Sequence, residues 1–195
     1  MKALVDRFKS ETAQIALDLG RRFRGLGKDE RGVSAVEFAM LLPLMMSLYL
    51  GAVEVSQGIG ADRKVTLTAR TVADLVSQVS SIDNSGMTNS LNAGTKVMAP
   101  FPSANLKVVV SSIKIDAQGN ATVEWSDTYN GAARAKGSTV TLPEALKVPS
   151  SYLIWSEVEY NYTPVIGYVV TGSLTLKDQI YMRPRLSDFV TRVPS

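Results

Sequence analysis

Residues 32–54 read Gly32-Val-Ser-Ala-Val-Glu37-Phe-Ala-Met-Leu-Leu-Pro43-Leu-Met-Met-Ser-Leu-Tyr-Leu-Gly51-Ala-Val53-Glu54. Residues 38–53 are sixteen positions without a charge, and with 33–36 the apolar block reaches about twenty. At about 1.5 Å per residue, about twenty helical residues cover the roughly 30 Å of a bilayer's hydrocarbon core. A buried helix of a globular core would show a polar stripe, and this run has none. A cleavable secretory signal would carry an apolar region of about 7–15 residues and a small-x-small site. Here the block is longer, and Gly58-Ile-Gly60 before Ala61 is a feeble match for such a site. The segment therefore reads as a transmembrane helix over 33–55.

Working outward, the N-terminal side is basic. Residues 1–32 hold eight Lys/Arg and five acids, whereas 33–195 hold thirteen of each, so the whole formal charge of +3 lies in the first stretch. A basic flank beside an apolar span predicts that this end stays in the cytoplasm and that the C-terminal bulk lies outside. It also accounts for the basic balance without a nucleic-acid partner, and none is expected. Leu4, Phe8, Ile15, Leu19, Phe23 and Leu26 fall on one stripe of a helix with Arg and Lys opposite, so the leader could lie on the membrane surface or be unstructured.

Two residues set the span apart from a simple anchor. Glu37 puts a carboxylate inside the apolar block, where an ionised acid costs several kcal/mol without a partner, which makes it a functional candidate. Pro43 removes a helical hydrogen bond and predicts a kink.

These residues carry a resemblance. Gly32 followed by Val-Ser-Ala-Val-Glu37-Phe38 is similar to the processing site of type IV pilin-like precursors, with Glu37 fifth when Val33 is counted first. The continuation through Pro43, with a second Glu after a Gly (Gly51-Ala-Val-Glu54), resembles the TadE-like family of minor pilins or pseudopilins of tight-adherence (Flp) pilus systems. The close match covers about 31–57, and Gln179-Ile-Tyr-Met-Arg-Pro-Arg185 looks like that family's closing strand. The resemblance implies cleavage between Gly32 and Val33 by a separate prepilin peptidase. It implies subunit docking through Glu37 and Phe38, with other pilins and the assembly platform as partners, and no enzymatic activity or cofactor.

Beyond Glu54, Gly58 and Gly60 form a joint at the membrane exit where the helix would bend or loosen, each costing about 1 kcal/mol relative to Ala. Val65, Ala69, Val72, Val76 and Val79 then mark one face of an amphipathic helix over 56–82. Ser80 to Asn84, then Ser85-Gly86, supply turn residues that end it. Residues 83–105 read as a linker, and from 106 the period changes to two. Strands are expected over 106–116, 121–129, 152–162 and 174–182, with a loop over 130–150 containing a short helical piece near Pro143. Val123 and Trp125 are expected on one side of the second strand, and the third alternates with one slip of phase. The fold class is α+β: a pilin-like long N-terminal helix, transmembrane then amphipathic, packed on a small antiparallel sheet formed by 106–195.

Catalytic chemistry finds little material. The chain has no Cys and no His, which excludes disulfides, thiolate zinc sites and His-based triads. Asp116 with Asn120, and Asp83-Asn84-Ser-Gly86, lack the ligand spacing of a calcium loop and fit turns; no metal site is expected. Glu157 and Glu159 share one strand face and read as a solvated surface. Trp125, Trp155, Tyr160 and Tyr162 read as core. An unprocessed single-pass envelope protein with a binding or scaffolding outer domain is the alternative reading.

Overall fold

The computed structural model describes residues 30–164, 167 and 172–193. Most of the leader, including its apolar stripe, lies outside the described residues. The chain divides into two compact units, Met1–Leu50 and Gly51–Ser195.

A run rich in Ala, Leu, Met, Glu and Val, interrupted by isolated glycines and one proline, gives helix α1, Glu30–Ser77, 48 residues long. Within the first unit it is helical through Pro43, and Ser47 Oγ donates to the Pro43 carbonyl at 2.7 Å. In the second unit the same helix continues to Ser77 and changes character. Ala61, Val65, Ala69, Val72, Ala73 and Val76 are fully buried, the spacing of a single helical face. Burying each valine contributes about 1.5–3 kcal/mol.

The stretch read as a linker contains a second helix, α2, Asn84–Val97. Its sequence is rich in Asn, Ser, Thr and Gly, all poor or indifferent helix formers, so propensity alone does not announce it. Two things hold it. The Asp83 carboxylate caps its N-terminus by accepting from Gly86 N at 2.7 Å. Met87, Ser90, Leu91 and Gly94 form its buried face. Gly94 lets α2 press against α1, since a Cβ there would lie 2.6 Å from Val72 Cγ2.

A four-stranded antiparallel sheet follows in the order β3-β2-β4-β5, with β2 Leu106–Ile115, β3 Ala121–Tyr129, β4 Ser151–Tyr162 and β5 Leu174–Met182. These bounds lie within one residue of those expected. The β2–β3 turn is closed by Asp116, whose carboxylate accepts from Gln118 N and Asn120 N at 2.9 and 2.8 Å. Gly119 sits there at φ +83°, a conformation that favours glycine. One sheet face, with Leu106, Val108, Val110, Val158 and Tyr160, shares a core with α1 and α2. The opposite face carries a smaller core of Ile113, Ile115, Val123, Leu153 and Trp155, roofed by Val140 and Leu142 from the 130–150 loop. A 3-10 turn, Glu144–Leu146, occupies the place where a short helical piece was expected.

Two expectations about faces are corrected. A bulge between Ser112 and Ile113 pairs Trp125 with Ser112 but Val123 with Ile113, leaving Glu124 as the extra residue. Trp125 therefore points to the helices and Val123 to the smaller core, because one added residue reverses every later side chain. On β4 the pairing runs unbroken, so the apparent slip of phase is a strand buried on both faces near 153–156.

Two very short strands complete the domain. β1, Ser81–Ile82, pairs in parallel with β6, Thr191–Arg192. Around this pair, Trp125 Nε1 donates to the Val190 carbonyl at 2.8 Å, and Arg192 bonds both Asp127 carboxylate oxygens at 2.8 and 3.1 Å.

Candidate functional site

The residues expected from the sequence to serve processing and docking all lie on the first stretch of α1. Glu30 begins the helix, so the Gly32–Val33 bond falls within its first turn. A Cβ at Gly32 would meet nothing within 4 Å, so packing among the described residues does not demand glycine there. Val33, Glu37 and Phe38 are exposed, Phe38 at 59% and the neighbouring Met40 at 77%. Exposure continues unbroken from residue 32 to 46, which leaves a run of Val, Phe, Met and Leu side chains unburied among the described residues. Among the described residues α1 is the one helix long and apolar enough to cross a membrane, and its most apolar window is wholly unburied. A solitary helix of this composition is stable only in an apolar medium or against other apolar helices. Helix continuity at Pro43 is retained with Ser47 bonded to the Pro43 carbonyl; no break occurs there.

The second group lies in the other unit. Glu54 is buried at 3% exposure, and its charge, after burial itself, helps push the Tyr162 phenol above its ordinary range. Gly58 and Gly60 were expected to loosen the helix, yet α1 runs through both without interruption. Cβ atoms would lie 3.8 Å from Tyr162 Cε1 at Gly58 and 3.9 Å from Phe101 Cζ at Gly60, ordinary van der Waals contact, so the rings pass beside this part of α1 without demanding glycine. Phe101 meets Tyr160 and Tyr162 edge-on, with centroids 6.4 and 6.1 Å apart.

Sequence reading missed the organisation of the outer sheet face. Glu157 accepts two hydrogen bonds from Arg134, at 2.8 Å each, and that guanidinium lies 4.2 Å over the Trp155 ring. Glu159 bridges Lys177 and Lys107 at 2.8 and 3.1 Å, and these two partners, Lys177 foremost, hold its carboxyl below the usual range. An open groove of about 770 Å³ lies over this face. No linear motif betrays it, because its cations come from a loop and two other strands.

The long exposed helix followed by an α+β domain is the arrangement expected of a pilin-like chain. Residues 32–74 match the family model described as TadE-like protein, a match that begins at Gly32 and covers most of α1. It points to a component associated with Tad pilus systems. No curated protein and no solved structure matches the chain.

Proposed function

We propose that this protein is a non-enzymatic minor pilin or pseudopilin of a tight-adherence pilus system. Residues 33–55 span the inner membrane, the basic leader faces the cytoplasm, and the C-terminal domain lies outside. A prepilin peptidase cuts after Gly32, and the mature helix docks to other pilins. The observation that carries this reading is Glu37, a carboxylate on a fully exposed apolar helix, in a segment whose TadE-like match starts at Gly32.

The chemistry of each step follows. Cleavage exposes an α-amino group on Val33, with a reference pKa of about 7.7–8.0. In hydrocarbon, that ammonium on one subunit and Glu37 on its neighbour offset each other's desolvation and fix the stagger between helices. A peptidase needs its substrate extended, so the first turn of α1 must open; glycine at 32 eases this by about 1 kcal/mol relative to Ala. Val55, Ile59 and Leu67 stay exposed on the later part of α1 and offer further apolar surface to partner helices.

The open groove over the outer sheet face favours the second reading, an unprocessed envelope protein whose outer domain binds a partner. Intact mass and N-terminal sequencing of the membrane-extracted protein separate the two. A chain starting at Val33 in peptidase-positive cells is the expected result; one starting at Met1 overturns the proposal in favour of the second reading.

A further inference from the structure

The two edges of the main sheet are treated differently. β3 is closed by the loop that follows it: Val123 N donates to the Ser138 carbonyl and Val140 N to the Ala121 carbonyl, each at 3.0 Å. Among the described residues β5 pairs with β4 alone, and its outer edge makes no further backbone bond. Such an edge presents a row of main-chain donors and acceptors to any extended chain.

The side chains on that edge select the chain that fits. On the outer face, rows of directly paired residues cross the sheet and end on β5. One row runs Lys107, Glu159, Lys177, so its charges alternate and stop on a cation. Lys177 bonds Glu159 at 2.8 Å, yet its side chain is 65% exposed and its ammonium has donors to spare. A second row ends on the ring of Tyr181, which stacks on its partner Trp155 with centroids 5.5 Å apart. The inner face of the same edge is also cationic. Beside Met182 an open cleft of about 560 Å³ is lined by Arg70 and Arg185, with Asp74 as its one acid.

We propose that the stretch of β5 from Lys177 to Met182 is a docking edge for an acidic extended segment of a partner protein, which joins the sheet as an added strand. Directly opposite residues interact across strands, so the partner sets an acid beside Lys177 and an aromatic or β-branched residue beside Tyr181, four positions away. The first acid completes the alternating row. Acids on the other face of the added strand meet Arg70 and Arg185. A second copy of the chain fits less well, because symmetric antiparallel pairing centred on Lys177 or on Asp178 sets like charges opposite each other. The inference concerns the outer domain alone and holds whether or not the chain is cut after Gly32.

A displayed library of short random peptides is panned against the full chain in an uncharged detergent. Bound peptides are expected to be enriched in Asp and Glu, with an aromatic or β-branched residue four positions from an acid, and depleted in Lys, Arg and Pro. A synthetic peptide of the enriched sequence should bind about tenfold more weakly to Lys177→Glu and to Arg70→Glu. Lys177→Gln, which sets no second carboxylate beside Glu159, should weaken binding in the same direction. Methylating every second peptide nitrogen should abolish binding in one phase and spare it in the other, because a strand bonds each neighbour through alternate residues. A selection without binders or without acid enrichment overturns the proposal. So does affinity unchanged in the charge variants, or binding indifferent to both phases of methylation. The chain has no cysteine, so a Gln179→Cys chain that forms disulfide-linked dimers in quantity also overturns it, since a second copy then holds the edge.

Discussion

Glu37 and Asp83 are both exposed carboxylates, and their surroundings give them opposite roles. Glu37 stands on an apolar surface, and in the proposed function its value lies in assembly with other subunits. Its replacement by Ala should leave membrane insertion intact and abolish co-purification with partner pilins; unchanged co-purification refutes the docking role. Asp83 works within its own fold. The backbone hydrogen bond from Gly86 N is the main cause holding its carboxyl below the ordinary value. A depressed folded pKa stabilises above the unfolded value and is lost as pH falls through the folded one. Thermal stability should therefore decline below about pH 4, and Asp83→Asn should flatten that decline in melting curves taken across pH. Gly94 answers to space alone. Gly94→Ala should destabilise by about 1–3 kcal/mol despite better helix propensity, because its Cβ meets Val72. In a Val72→Ala background the added cost should shrink, as denaturant titration of the double mutant would report.

At the level of elements, the main strands were legible because alternation and turn chemistry agree. Asp116 to Asn120 announces a hairpin on chemistry alone, and the flanking residues alternate cleanly. Helix α2 escaped because its stability lies in a cap and in a fit to α1, neither of which is a property of its composition. Strands β1 and β6 escaped because two residues have no period. The bulge at Glu124 escaped because an inserted residue is visible only against its partner strand. The docking motif sits on one helix and could be read linearly, whereas the Arg134–Glu157 pair joins a loop to a strand and could not. The C-terminal tail supplies the test at this scale. Trp125→Phe removes the hydrogen bond to Val190, so the tail should loosen, and trypsin should cut after Arg185 and Arg192 faster than in the parent chain. Equal cleavage rates would mean that the Arg192–Asp127 pair suffices to hold it.

For the whole molecule, the division at Leu50 and Gly51 separates a helix that needs an apolar medium from a domain with two hydrophobic cores of its own. A fragment beginning at Gly51 should fold without detergent and melt cooperatively, while the full chain should require detergent or lipid. Calorimetry of the fragment checks this, and a broad, featureless melt would show that the domain depends on the preceding helix. Residues 1–32 carry the whole charge excess, so a chain beginning at Val33 would have thirteen side-chain charges of each sign.

The parallel pairing of β1 with β6 has a consequence in time. Ile82 and Arg192 are 110 residues apart, and at about 5–20 residues per second of synthesis the first waits about 5–20 s for the second. During that interval α1 and α2 can meet, but the carbonyls of Ser80 and Ile82, which later accept from Thr191 N and Val193 N, lack those donors. Closure of this strand pair thus waits until residues 191–193 have been synthesised. A nascent chain stalled before residue 190 would expose an open strand edge to proteases and chaperones, and a full-length chain would not.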